Sequence, residues 1–368
     1  MKKNSIILVF TFGLLSFLIF SIQIRKIYFS TITEKNQIFI VDKKITYSKL
    51  LNKLINEFSI PSFSCFSFFC NQKNLKKFKS GKYILKSGSS LNDIINELRV
   101  PGNRKTIDFS FNSFDDFSYL ASQLSHDTSI DSIILLNTIS SFNFDSVFNR
   151  TVTKKEIISF FIPNTYNIYW HISEKQFVQR MLNEYQKFWA KRNKELNKLN
   201  LSPFQVSILA SIVEKESNNI SEMPDIASLY LNRLRRNMKL QADPTVNYCF
   251  KKLFDFDTTL TRVYKKHTKI ICDYNTYLNK GLPPGPITSP SIHSIDAVLM
   301  NKYTNHLYMC AKAKINEVKN RVCFFDSHNF ASSYLNHLKN ARKYQKAMDK
   351  YKNGFEICFS DRSNCNCN

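Results

Sequence analysis

Two glutamates, Glu214 and Glu216, stand near the end of the run SPFQVSILASIVEKES (202–217), and the spacing puts only Glu216 on its apolar side. At roughly 100° per residue, Val206, Ile208, Leu209, Ile212 and Val213 share one continuous arc of a helix, with Glu216 inside it between Ile212 and Leu209. Glu214 projects outside that arc, beside Ser207. A carboxylate on the apolar side of a helix must be paired, neutralised or used, because burying the bare charge is costly. Burial also raises its pKa toward the range a general acid needs at neutral pH, which makes Glu216 the candidate acid/base. The same position equally suits a side chain that reaches water or an arginine from the helix end.

The helix that would carry Glu216 has a strong start signal. Ser202 is an N-cap, Pro203 takes the first helical position, and Gln205 completes a capping box. A second helix is expected over about 224–238, with Ala227, Leu231, Leu234 and Met238 as its buried stripe. Arg233, Arg235 and Arg236 lie off that stripe and read either as a solvated face or as groups that hold anionic or polar substrate. LQADPTVNY (240–248) reads as a turn stiffened by Pro244 and capped by Asp243. YNTYLNKGLPPGPITSP (274–290) is a Gly- and Pro-rich loop whose shape is set before any ligand arrives, which suits a groove wall. Asn275, Thr276 and Tyr277 in it supply polar and stacking groups suited to sugars, or to packing of the loop itself.

At 368 residues with 43% hydrophobic content, the chain can hold two or three domains with their own cores. Its net charge of +23 comes with abundant Lys, Asn, Ile and Phe and scarce Gly and Trp, a compositional skew, and the basic residues form no single stripe. With no zinc-finger, Walker or dinucleotide motif either, no nucleic-acid partner, metal or cofactor is expected. From Ser5 to Ile24 no charged residue occurs, a run long enough to span a bilayer as a helix. It exceeds a usual signal-peptide core, and Arg25 and Lys26 follow it without a small-residue cleavage site, so a retained transmembrane anchor is expected. Charge counting leaves its orientation tied. The nine cysteines contain no C-x-x-C pair. Cys65 with Cys70, or two of Cys358, Cys365 and Cys367, could form disulfides outside the cytoplasm, and the others read as small buried residues.

Along the rest of the chain, strands are expected at 38–41, 82–86 and 105–111, and helices at 46–58, from 89 or 90 onward, at 114–124 and at 129–138. In the helix after Ser90, Leu91, Ile94, Ile95 and Leu98 share a face. The strand, Gly-Ser turn and helix there resemble a degenerate LysM module, a fold that holds glycan chains, or form a plain spacer. A long amphipathic helix is expected over 174–196, a helix at 292–300, a strand pair at 306–312 and 321–325, a terminal helix over 327–348, and a poorly ordered tail.

Taken together, ASIVEKES (210–217), IASLYLNRLRRNMKLQADPTVNY (226–248), YNTYLNKGLPPGPITSP (274–290) and SHNFA (327–331) resemble the MltG (YceG-like) family of membrane-anchored endolytic murein transglycosylases. The resemblance spans about 155–345, and the family usually has Pro-Gly where this chain has Pro290-Ser291. It implies an α+β fold with the catalytic glutamate on a helix, matching Glu216 followed by Ser217. It implies non-hydrolytic cleavage of the MurNAc–GlcNAc β-1,4 bond within peptidoglycan strands, with Gln241, Asn275, Tyr277 and Arg233 as candidate sugar-binding groups. The implied order is a cytoplasmic terminus (1–4), a transmembrane helix (5–24), a LysM-like module (25–105), a linking α/β region (106–200), an extracytoplasmic catalytic domain (201–350) and a tail (351–368). Peptidoglycan synthases and penicillin-binding proteins are the implied partners. A hydrolytic muramidase would need a second carboxylate, for which Asp243 is the candidate, and a membrane-tethered glycan-binding scaffold would need neither.

Overall fold

The computed structural model describes residues 2–29, 31, 36–41, 46–58, 63–75, 81–100, 106–254, 260 and 262–359, with residues 2–11 and a few others described by backbone alone. The chain divides into two compact units. One comprises Met1–Phe109, Ser122–Leu135 and Tyr166–Glu174, and the other Ser110–Ala121, Leu136–Thr165 and Lys175–Asn368.

The first unit opens with α1 (Lys2–Phe29), β1 (Gln37–Val41), α2 (Tyr47–Phe58), α3 (Phe63–Gln72), β2 (Gly81–Leu85) and α4 (Leu91–Arg99). β1 and β2 pair antiparallel with Phe39 opposite Tyr83. Strand alternation turns Phe39 and Val41 into the core and leaves Ile38 and Ile40 exposed. The inner face packs against Leu50, Leu51 and Leu54 of α2 and against Leu91, Ile94, Ile95 and Leu98 of α4, the four positions the spacing groups on one face. Ser90 and Asp93 close a capping box at the start of α4. The far end of α1 joins this core through Ile24 and Tyr28, whose ring stacks on Phe69 at 4.2 Å.

There follow β3 (Thr106–Phe111), α5 (Phe117–Asp127), α6 (Ser132–Ser141), α7 (Phe144–Phe148), β4 (Asn164–Tyr169), α8 (Glu174–Ala190) and α9 (Asn193–Leu199), with β3 and β4 forming a two-stranded sheet. The second unit is organised around α10 (Pro203–Glu216), packed by α11 (Met223–Arg235), α12 (Asp243–Phe254) and α13 (Ile292–Met300). Beside them lies a three-stranded sheet of β5 (Tyr308–Asn316), β6 (Arg321–Ala331) and β7 (Glu356–Phe359), on which α14 (Tyr334–Lys352) packs. α10 is buried all round from Val206 to Val213. Its small residues let neighbours close on every side, and the serines stay satisfied: Ser207 donates to the Pro203 carbonyl at 2.9 Å, and Ser211 donates to the Ile208 carbonyl while accepting from the Ile287 amide at 3.0 Å. In place of one expected apolar arc, the helix is buried around its whole circumference.

Several expectations are corrected. The helix expected over 174–196 breaks after Ala190, where the Arg192 guanidinium bonds both carboxylate oxygens of Asp296 and the Phe188 carbonyl. The turn expected at 240–248 is mostly helix, because Pro244 in the first turn of α12 needs no amide partner; the actual bend lies just before it, with Asn237 and Gln241 at positive φ. SHNFA belongs to β6, paired with β5 beyond a register shift at Ala311/Ala313, and Ser333 caps α14 later than expected. Part of the tail is strand: β7 runs parallel to β6, with Cys358 in register with Cys323, and each of these cysteines takes part in a disulfide. A disulfide also joins Cys249 and Cys272. The Cys249–Cys272 bond is not among the pairings expected from spacing; the Cys65 side chain and Cys365 and Cys367, on which those pairings rest, lie outside the described residues.

Among the described residues no helix is long and apolar enough to cross a membrane. The expected span 5–24 falls on α1, and the side chains of its first part lie outside the described residues.

The capping box of α10 is present, with Gln205 N–H donating to Ser202 Oγ at 3.2 Å and Ser202 N–H to Gln205 Oε1 at 2.9 Å. Ser202→Ala is expected to lower stability by about 1 kcal/mol, read as an earlier urea midpoint at unchanged slope.

Candidate active site

The last turn of α10 is where this buried helix meets open space. Glu216, partly buried, reaches a cavity of about 240 Å³ whose wall also contains Tyr230, Arg233, Gln241, Asp243, Tyr277 and His328. The Tyr230 hydroxyl, fully buried on α11, donates to Glu216 Oε1 at 2.5 Å. Burial pushes the Glu216 carboxyl up to about 7; the Tyr230 hydrogen bond opposes this, the Asp243 charge adds to it, and the positive charges of His328 and Arg233 oppose it. Such a group is protonated for much of the time near neutrality and still close to releasing its proton, which is what acid/base chemistry requires.

Glu214, two residues away, is spent on structure. It accepts from Ser113 Oγ at 2.7 Å and from Ser291 Oγ at 2.5 Å, and it borders a different cavity. Ser291 is the N-cap of α13, so the Glu214 carboxylate sits at a helix start, where negative charge is favoured. Helical geometry separates the two carboxylates, and neighbouring elements give them different surroundings.

Asp243 stands at the first turn of α12 and accepts from Tyr277 Oη at 2.6 Å. Desolvation raises its pKa, against the lowering by that hydrogen bond. Tyr277 is delivered by the 274–290 loop, which is stitched to the entry of α12. The Gln241 amide donates to the Thr276 carbonyl at 3.1 Å, the Ala242 amide to Thr276 Oγ1 at 2.9 Å, and Thr245 and Thr276 share a hydroxyl contact at 2.9 Å. The Cys249–Cys272 disulfide ties the body of α12 to the segment leading into this loop. Gln241 itself sits at φ 52°, a left-handed conformation uncommon for a side chain of its size, which its surroundings hold in place.

Of the sequence-derived candidates, Glu216, Gln241, Tyr277 and Arg233 meet at the cavity wall, and Asn275 does not. Asn275 is fully buried; its Nδ2 donates to the Thr268 and Ile270 carbonyls and its Oδ1 accepts from the Tyr277 amide. It shapes the loop that presents Tyr277 and offers no group to the cavity. Arg233 is no solvated residue either: it is 7% exposed, with Nε on the Leu307 carbonyl and Nη1 on the carbonyls of Lys239 and Leu240 and on Gln241 Oε1. Its guanidinium ties α11 to the 239–241 bend and to the entry of β5, and its charge still reaches Glu216.

Sequence reasoning missed Tyr230, Glu222 and His328. Tyr230 lies inside an ordinary apolar stripe and nothing local marks it, while His328 lies in SHNFA, a block singled out for resemblance and not for chemistry. Glu222 precedes α11 and is buried; its Oε1 accepts the His328 amide at 2.5 Å and its Oε2 lies 2.8 Å from His328 Nδ1. Hydrogen bonding and charge from Glu222 raise the His328 pKa against the effect of burial.

This architecture is shared with known proteins. A solved structure of a yceG-like protein from Listeria monocytogenes superposes with a TM-score of 0.52 at 23% identity, covering 83% of this chain and 99% of that one, which is a likeness of fold. A Bacillus subtilis (strain 168) protein named endolytic murein transglycosylase is 27% identical over 268 residues, 69% of this chain and 72% of the relative. One of the same name from Streptococcus pneumoniae serotype 2 is 26% identical over 271 residues, and this chain spans about half of its length (49%). The profile of the YceG-like family matches residues 39–343, most of the chain and all of the cavity wall. The chain belongs to the YceG-like family.

Proposed function

We propose that this chain is a membrane-anchored endolytic murein transglycosylase with Glu216 as its single acid/base. The observation that carries the reading is the Glu216 carboxyl on an open cavity, pushed up to about 7 by burial and held by Tyr230. The names of the Bacillus and Streptococcus relatives support the substrate, the glycan strand of peptidoglycan.

Because Tyr230 occupies Oε1, Oε2 is the oxygen that carries the proton. Glu216 gives that proton to the leaving glycosidic oxygen as the bond to C1 of MurNAc breaks. The resulting carboxylate then removes the proton of the C6 hydroxyl of the same sugar, whose oxygen closes on C1 as a 1,6-anhydro ring. No water is consumed, and Glu216 ends protonated as it began. Since the sugar supplies the nucleophile, one carboxyl suffices. Tyr277 and Gln241, on the wall beside Glu216, are the groups suited to stack on and bond the sugars. The presence of Asp243 on the same wall favours hydrolysis as the second reading, with Asp243 activating water.

The anchor reading is supported by α1, where Phe12, Leu14, Leu15, Phe17, Leu18 and Ile19 are all more than half exposed. At helical spacing these residues surround the axis, a surface suited to lipid. The disulfides of the second unit support an oxidising compartment for it, hence a cytoplasmic amino terminus and an extracytoplasmic body. The β1–α2–α3–β2 arrangement, with two antiparallel strands and helices on one face, supports the LysM-like reading and a role in holding glycan. Peptidoglycan synthases and penicillin-binding proteins are the partners this placement favours.

Digestion of peptidoglycan by the full chain, followed by mass spectrometry, is expected to give anhydro-MurNAc ends, with the rate lowered roughly 10²–10⁴-fold by Glu216→Gln. Reducing MurNAc ends would select hydrolysis instead. Since Glu216 must start protonated, kcat/KM is expected to fall above about pH 7, approaching roughly tenfold per pH unit.

The same carboxyl bears on stability. Its folded pKa, about 7, exceeds the ordinary 4.5, so its contribution is intact below 4.5 and is lost as pH rises through 7. Glu216→Gln, neutral throughout, is therefore expected to match wild type near pH 4 and to exceed it at pH 8 by up to about 3 kcal/mol, read by denaturant melts at the two pH values.

A further inference from the structure

Glu216 must be comfortable in two charge states within one turnover, neutral before the first proton transfer and anionic before the second. The titratable and charged groups that share its cavity are Tyr230 and Arg233 from α11, Asp243 from α12, Tyr277 from the 274–290 loop, Cys310 from β5 and His328 from β6. Burial and Asp243 favour the neutral form. Tyr230 can supply one hydrogen bond, and Arg233 is committed to backbone carbonyls by Nε and Nη1. His328 is placed differently. Glu222 takes its backbone amide with one carboxylate oxygen and its ring Nδ1 with the other, which fixes both the strand position and the ring orientation. A carboxylate only accepts, so Nδ1 carries a hydrogen, and Nε2 is the nitrogen left to take up the second proton. His337 differs: it stacks on Tyr308, its Nδ1 has no hydrogen-bond partner among the described residues, and burial and the Arg233 charge lower its pKa.

We propose that His328, clamped by the buried Glu222, is a positioning residue for Glu216, its imidazolium placed across the cavity to balance the carboxylate that forms after the first proton transfer. The role rests on the acid/base reading of Glu216 given above. Glu222 is the buried counter-charge that keeps the imidazolium in a half-buried site, and Asp326 adds to it. The arrangement is preorganised, since ring, strand and carboxylate are bonded together in the absence of substrate, and it acts only when negative charge develops at Glu216. Loss of His328 should therefore leave Glu216 able to hold its proton and less able to release it, impairing kcat more than KM.

The test is His328→Gln in the full chain, with two readouts. In the digestion assay kcat is expected to fall roughly tenfold or more while KM changes little, and the basic limb of the kcat/KM profile to move up by about half a pH unit or more. In denaturant melts at pH 8, the stabilisation produced by Glu216→Gln is expected to be larger in the His328→Gln background than in wild type, because the uncompensated carboxylate costs more there. Glu222→Gln, which keeps the ring but removes its counter-charge, is expected to shift both readouts in the same direction and serves if His328→Gln fails to fold. A basic limb and a melting increment that stay at their wild-type values, whatever the loss of activity, would overturn the role and leave the pair as structural. Failure of the acid/base reading would show separately, as an absence of anhydro ends from wild type at every pH, and would remove this role with it.

Discussion

The structure depends on keeping one ionisable carboxyl at the end of a helix that is otherwise enclosed. From Val206 to Val213 no face of α10 is open, so the helix cannot shift or rotate without breaking contact with α11, α12 and α13. Its small residues make that enclosure possible, and the hydroxyls of Ser207 and Ser211 are returned to backbone groups so that no polar cost is left. Glu216 stands in the last turn, beyond the enclosed stretch. Its raised proton affinity follows chiefly from burial of the carboxyl, with neighbouring charges and hydrogen bonds adjusting it.

The walls of the cavity are made largely by residues that hold other residues. Arg233 spends its guanidinium on carbonyls, Asn275 spends its amide on the loop, and Thr276 bonds the entry of α12. A Gly- and Pro-rich loop has few regular backbone bonds of its own, so side chains must supply them. The result is a pair of tyrosines brought from separate elements, Tyr230 to Glu216 and Tyr277 to Asp243, with the Cys249–Cys272 disulfide behind the second pair. The two carboxyls on this wall differ in what binds them, and the Asp243 charge itself contributes to holding the proton on Glu216.

The strongly local parts of the fold were legible in the sequence. The capping box at Ser202, the helix beginning near Ser90 with its buried face and the strand at 38–41 follow from short-range rules, and the structure contains them. Failures fell where a distant partner decides. The break after Ala190 has Arg192 bonded to Asp296, the strand at SHNFA exists because β5 runs alongside it, and β7 is ordered by pairing with β6. The Cys249–Cys272 pairing was illegible for the same reason, since it joins α12 to a segment that only the fold brings beside it.

At the site, sequence alone determined the start of α10 and the different directions of Glu214 and Glu216, because a helix fixes angular spacing whatever surrounds it. The chemistry of amides and guanidinium groups did not reveal which would face the cavity: Asn275 and Arg233 are the same residue types whether they bind a sugar or a backbone carbonyl. Only the tertiary structure brought Tyr230, Asp243 and His328 around Glu216, closed α10 on every side, and set Glu222 behind His328. Those outcomes depend on distances between elements far apart in the chain, and desolvation and charge balance act through such distances, which no local pattern encodes.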